Sequence, residues 1–205
     1  MNEQLLLPGL GVREPASIDN MFIAIVPDEE MAKRIKGLGH EVGKLLGVRG
    51  KFRPMELLHI TLAHVGTYRG GLRPGHEKIA RRICEEVASR FHPVEVGLDR
   101  VGCFTGREDG LPFVLQSTDA DPDLYVLNES LVTGLLKLGV RSSGNQGFTP
   151  HVTMAYVKEP VDQVPIQPIR WTAGEIVLIH SLVGKSEHRV LGRWPLIGRG
   201  LHDFH

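Results

Sequence analysis

The pattern His-x-Thr occurs twice, in LLHITLAHVG (57–66) and in TPHVTMAYVK (149–158), each time within a short run of strand-forming residues. HITLAHV and HVTMAYV agree at four of seven positions, His, Thr, Ala and Val, and these positions alternate. In a regular strand alternate residues share a face. His59 and Thr61 are therefore expected to point one way, as are His151 and Thr153, with Ile60, Leu62, Val152 and Met154 in the opposite layer. The same alternation places His64 on the side away from His59. A packing face would not need imidazole and hydroxyl in both copies.

The repetition extends beyond the motif. MFIAIV (21–26) reads as a strand that stops at Pro27 and Asp28, where a helix can start. Met31, Ile35, Leu38 and Val42 give that helix one apolar stripe, although Gly37 and Gly39 each cost about 1 kcal/mol of propensity. A second helix follows Pro74, with Ile79, Ile83, Val87 and Phe91 on one side. PFVLQS (112–117) reads as a strand, and Leu124, Leu127, Leu131, Leu135 and Leu138 form a helical stripe ending at Gly139. Phe22 precedes His59 by 37 residues and Phe113 precedes His151 by 38, so a strand, a helix and a motif strand recur at nearly constant spacing. This is a duplication of βαβ type. Two copies are too few for a solenoid and suit two lobes facing each other across a pseudo-two-fold axis. GEIVLIHSLV and EHRVLGRWPL suit a final hairpin through Gly184 and Lys185. The expected organisation is a flexible extension over 1–20, one bilobal domain over 21–198 and a tail over 199–205, in which His202 and His205 are solvated.

Composition narrows the partners. Twenty-four basic and 24 acidic side chains give a formal net charge of zero, so no global field attracts nucleic acid. Any RNA contact has to be local, and GKLLGVRGKFR (43–53) places Lys44, Arg49, Lys51 and Arg53 together without an acid. Cys84 and Cys103 lack CxxC spacing and are too few for a disulfide framework, which fits a reducing compartment. The first 20 residues have neither the basic start nor the apolar centre of a signal peptide, and no stretch is long and apolar enough to span a bilayer. The expectation is a cytoplasmic monomer without a membrane or an obligate protein partner.

Two histidines near their reference pKa of about 6.5 can share one proton at neutral pH and supply a general base and a general acid together. In-line displacement at phosphorus requires such a pair on opposite sides of the phosphate. A threonine two residues after each histidine can aim its hydroxyl at a non-bridging oxygen.

These residues resemble the signature of the two-histidine phosphoesterases, in particular the RNA 2′,3′-cyclic phosphodiesterase or 2′-5′ RNA ligase family. The resemblance covers most of residues 20–196, including MFIAIVPDEE, both motifs, VLIHSLVG and LGRWPL. It implies an α+β, LigT-like fold: two pseudo-symmetric lobes of antiparallel sheet with outer helices around a central cleft. It also implies opening of a terminal 2′,3′-cyclic phosphate by water to a 2′-phosphate, without metal or cofactor, with reverse 2′-5′ ligation as the same chemistry run backwards. Carried onto this chain, His59 is the acid that protonates the leaving 3′-oxygen and His151 the base that activates water. Some members carry a basic residue where Tyr156 stands. Tyr156 can donate a hydrogen bond or stack on a base, and Lys158, two residues on, is a candidate for the missing charge. Phe22 could stack on a nucleobase or pack in the core, and Arg53 could meet phosphate.

Other classes have less support. Ten histidines raise the question of a metal, but the motifs carry no repeated carboxylate or thiolate to complete a shell. Ser117 and Ser181 lie in no G-x-S-x-G turn, and the glycines of GLGVRG and GTYRGG lack phosphate-loop spacing. RSSGNQG (141–147) reads as a flexible loop entering the second motif, and Arg141 and Arg193 suit surface ion pairs. Two alternatives remain: a phosphodiesterase acting on a small metabolite's cyclic phosphate or on a 2′-5′ linkage, and an RNA- or nucleotide-binding protein without catalysis.

Overall fold

The computed structural model describes residues 17–104, 110–141 and 147–198. The first strand, β1 (Ile18–Ile25), begins ahead of its apolar run. Asp19 causes this. Its carboxylate, 1% exposed, is held by His180 Nε2 at 2.7 Å, by the Ser17 hydroxyl at 2.8 Å and by the Gly71 amide. A buried charge partnered this way is tolerated in a strand. Most of the expected N-terminal extension, the 199–205 tail with His202 and His205, and nearly all of the 141–147 loop lie outside the described residues.

Asp28 caps helix α1 (Glu29–Leu45) by accepting from the Met31 amide. Gly39 and Gly43 allow this helix a close approach: a Cβ on Gly39 would sit 2.8 Å from Met154 Sδ, and one on Gly43 2.8 Å from Phe52 Cζ. A short strand β2 (Gly50–Phe52) and a 3₁₀ turn (Met55–Leu57) lead into β3 (Ile60–Arg69). Then come α2 (Pro74–Ala88), β4 (Val94–Cys103), β5 (Leu111–Gln116), α3 (Pro122–Lys137), β6 (His151–Val157), β7 (Val164–Ala173), β8 (Glu175–Leu182) and β9 (Glu187–Pro195). The sequence pattern did not single out β2, β4 or β7. β7 contains Pro165 and Pro168, which weaken a strand pattern, and it lies at a sheet edge, where proline is tolerated.

All strands belong to one sheet of order β7-β4-β5-β6-β3-β1-β8-β9, with β2 added against β6. The two motif strands are central neighbours, joined in the ladder at Ile60 and Val152. From that junction the sheet reads the same outward on both sides: the strand before the helix, then two outer strands. Each strand-helix-strand unit is antiparallel, because β1 pairs antiparallel with β3 and β5 with β6. Parallel βαβ order does not apply.

The core lies on the helix-covered face. Met21, Ile23, Ile60, Phe113, Leu115 and Val152 meet the stripes Ile35, Ile83 and Val87, and Leu124, Leu127, Leu131 and Leu135. Leu138, 38% exposed, falls outside its expected stripe because α3 ends at Lys137. The other face holds a small apolar cluster, Phe22, Ala24, Val177 and Ile179, and is otherwise open. Cys84 and Cys103 are buried and free. No helix among the described residues is long and apolar enough to cross a membrane.

Candidate active site

Each motif histidine is oriented by the segment that leads into its strand. His59 Nδ1 lies 2.8 Å from the carbonyl of Leu57, and His151 Nδ1 lies 2.7 Å from that of Thr149. A carbonyl only accepts, so Nδ1 carries the proton in both rings and donates it. Nε2 of the neutral ring is left to act as a base, or as an acid once protonated. Both imidazoles line one pocket of about 420 Å³ on the open face, with Thr61, Thr153, Arg53, Phe104, Pro112 and Tyr156.

Strand alternation holds only as far as each threonine. Ala24 pairs with Thr61 and Ile23 with Ala63, so Leu62 is an extra residue in the ladder. Val114 pairs with Thr153 and Phe113 with Ala155, so Met154 is extra in the same way. These are matched β-bulges, and each turns two successive residues toward the core: Leu62 and Ala63, Met154 and Ala155. The faces of the next residues change, and in β3 a second bulge at Val65 restores the original alternation beyond it. His64 therefore returns to the side of His59, contrary to the expectation from a regular strand, and it sits beside the Thr67 hydroxyl. In the second lobe the same bulge brings Tyr156, 47% exposed, to the cleft.

The other candidates are placed as follows. Arg53 lines the pocket, its guanidinium carbon 6.0 Å from the centre of the Tyr156 ring, and its Nε is buried without a hydrogen-bond partner. Lys158 lies just past the end of β6 and lines a neighbouring hollow with Arg49, Lys51 and Pro160 that Tyr156 also borders, and it does not line the histidine pocket. Phe22 is 6% exposed and stacks on His59, ring centres 4.7 Å apart at 22°. It packs against the imidazole and does not line the pocket.

Three further residues gave no clear signal in the sequence. His188 of β9 contacts both Phe22 and His59 edge-on, at 5.6 Å and 5.1 Å. Phe104 sets its ring at 85° to that of His151, 4.8 Å away. Gln116, paired with His151 across the β5–β6 ladder, is 4% exposed, and its carboxamide oxygen has no partner. Their neighbourhood depends on which strands pair, and local pattern does not reveal that.

The electrostatics depart from two rings near pKa 6.5. Burial lowers His59 to about 3 despite the favourable Leu57 bond, with smaller contributions in the same direction from His188, Arg53 and His151. Burial also lowers His151, against its bond to Thr149. His188 is pushed to about 4 by burial and then by Arg53. With all three pKa values lowered from 6.5, the rings are neutral at pH 7. Among the described residues no cluster of three His, Cys, Asp or Glu is placed to hold a metal ion.

Residues 27–185, which contain both motifs and most of the pocket, match the family model of the 2′-5′ RNA ligase superfamily. The chain belongs to this superfamily. Its fold is that of the two-histidine phosphoesterases, as similar solved structures show. The crystal structure of TT0787 from Thermus thermophilus has a TM-score of 0.69 at 24% identity, covering 89% of this chain and 100% of that one. Escherichia coli LigT complexed with NADP+ has a TM-score of 0.67 at 21% identity, covering 89% and 99%. The LigT complex with 3′-AMP has 0.66 at 21%, with the same coverage. No curated protein matches the chain in sequence. At these identities the likeness establishes the fold, and the superfamily match establishes the class of phosphoesterases and ligases.

Proposed function

We propose that the protein is a metal-independent phosphodiesterase that opens 2′,3′-cyclic phosphate ends of RNA or nucleotides to 2′-phosphates. One observation carries this reading: two imidazoles with the same tautomer, each followed by a threonine, face one pocket beside the Arg53 guanidinium. In the forward direction His151 Nε2 removes the proton of an attacking water. The new P–O bond forms as the bond to the 3′-oxygen breaks, and His59 Nε2 delivers a proton to that oxygen. Thr61, Thr153 and Arg53 receive the charge that grows on the non-bridging oxygens, and Tyr156 offers a hydroxyl and a ring face at the pocket mouth. With burial holding its pKa at about 3, His59 needs the substrate phosphate beside it to raise that value before it can donate. An anion beside an imidazole acts in that direction. The same steps in the same direction, with a 5′-hydroxyl in place of water as the nucleophile, give 2′-5′ ligation; run backwards they cleave that linkage and re-form the cyclic end. Cytoplasmic location and a monomeric state complete the reading, as expected for a chain acting on RNA ends without a partner.

The test is hydrolysis of adenosine 2′,3′-cyclic phosphate with excess chelator, resolving 2′- from 3′-phosphate. Metal-free 2′-phosphate that disappears in His59→Ala and in His151→Ala supports the reading. Tight binding without product favours the non-catalytic alternative, and neither binding nor turnover favours a metabolite cyclic phosphate.

A further inference from the structure

The pocket that holds the histidines is not closed. A second hollow of about 530 Å³ adjoins it and shares the Arg53 and Tyr156 wall. One side is the β2 segment running into the 3₁₀ turn, and the other is the tip of the β8–β9 hairpin. Lys51 pairs with Tyr156 in the β2–β6 ladder, so the two side chains leave the same face of the sheet. Opposite them, Ser181 and His188 pair across the hairpin, and Asn20 stands beside them.

The charge of this hollow is unbalanced. Among the described residues its one carboxylate, Glu187, is taken by Arg189 Nε at 2.6 Å. Neither Lys51 nor Arg53 forms an ion pair among the described residues, and Arg53 Nε is buried and unpartnered. A concave site with two free cations, hydroxyl and imidazole groups and no free acid suits a phosphate.

We propose that this hollow takes a second phosphate of the substrate, joined to the reacting cyclic phosphate through the intervening ribose. The proposal rests on the function proposed above and refines its substrate: the preferred end carries phosphate on both sides of its terminal nucleoside. The 5′-phosphate of a mononucleotide and the phosphodiester that continues an RNA strand share this chemistry. The depressed pKa of His188 fits, since an anion arriving beside it draws a proton onto the ring and adds a third positive charge.

Steady-state hydrolysis of three substrates tests the idea: adenosine 2′,3′-cyclic phosphate, its 5′-phosphorylated form, and the ApA dinucleotide with a cyclic end. For the wild type, at least one two-phosphate substrate should show a KM about tenfold below that of the one-phosphate compound, the scale of one charge-assisted hydrogen bond. Lys51 is exposed on its short strand, so Lys51→Ala should fold. It should remove most of that gap, raising KM with kcat unchanged, while leaving the one-phosphate substrate as in the wild type. Lys51→Arg should restore the gap. A gap for the dinucleotide alone assigns the hollow to an RNA strand, and a gap for both assigns it to any phosphate so placed. Equal KM values for all three substrates, or a uniform loss in Lys51→Ala, overturns the proposal. Absence of turnover with every substrate overturns the hydrolase reading instead. The hollow is then read by calorimetry, comparing adenosine 3′,5′-bisphosphate with adenosine 3′-monophosphate: tighter binding of the bisphosphate that Lys51→Ala abolishes supports it, and equal binding overturns it.

Discussion

In the first lobe His59 lies flat against Phe22 and edge-on to His188, with the Arg53 guanidinium near enough to lower its pKa. In the second lobe His151 meets the edge of Phe104 and pairs across the ladder with Gln116, and burial alone lowers its pKa. The anchors are the same: a donated Nδ1 proton to a carbonyl two residues back, then a bulge after the threonine. The duplication therefore preserves the local device and leaves its electrostatic setting to the outer strands. β9 reaches round to supply His188 to one side, whereas among the described residues the ring set against His151 is that of Phe104.

The largest effect should come from removing either imidazole. His59→Ala and His151→Ala should each lower kcat by roughly 10²- to 10⁴-fold, because each disables one proton transfer. A single mutant that kept near wild-type turnover would break the equivalence of the two lobes. Thr61→Val and Thr153→Val should each cost on the order of 10²-fold in kcat with smaller changes in KM, the signature of a donor used in the transition state. A loss in one lobe alone would show that one threonine carries the oxyanion.

The asymmetry can be sharpened by titration. His188→Asn removes one positive neighbour of His59, so the His59 pKa, followed by NMR, should rise from about 3 while His151 stays in place. Equal movement of both rings would contradict the assignment of His188 to one lobe.

A structural prediction concerns the wall that carries Arg53. A Cβ on Gly50 would lie 2.7 Å from the Tyr156 carbonyl oxygen, so Gly50→Ala should push β2 away from β6. The expected loss is about 1–3 kcal/mol in chemical denaturation, with weaker substrate binding. Acid should also lower stability. His59 and His188 have folded pKa values of about 3 and about 4, below the unfolded value of about 6.5, so the unfolded chain binds more protons between those limits. Stability should be full above about pH 6.5 and decline as the pH falls toward 4, and the decline should be shallower in His188→Asn.

Much of the fold could be read from local pattern. The spacing of the two motifs, the stripe from Leu124 to Leu135 and the Asp28 cap rest on neighbours a few residues away, and the structure contains all three. The charge expected to stand in for the basic residue absent at Tyr156 could not be read this way. Lys158 is two residues away but lines the neighbouring hollow rather than the histidine pocket, whereas Arg53, just past β2 and some hundred residues earlier, reaches the Tyr156 ring inside that pocket. His64 was expected on the far side of the sheet because alternation counts residues and takes no account of a bulge.

The sequence by itself determined a duplicated chain, and it determined that the two His-x-Thr segments are strands. Both depend on contacts between near neighbours. Tertiary structure decided which faces met, because two bulges reset the alternation. It also decided which imidazole stands next to Arg53 and His188, because those residues arrive through strand pairing over long separations. Burial then set the pKa values, and the extent of burial depends on how the whole sheet closes around the cleft.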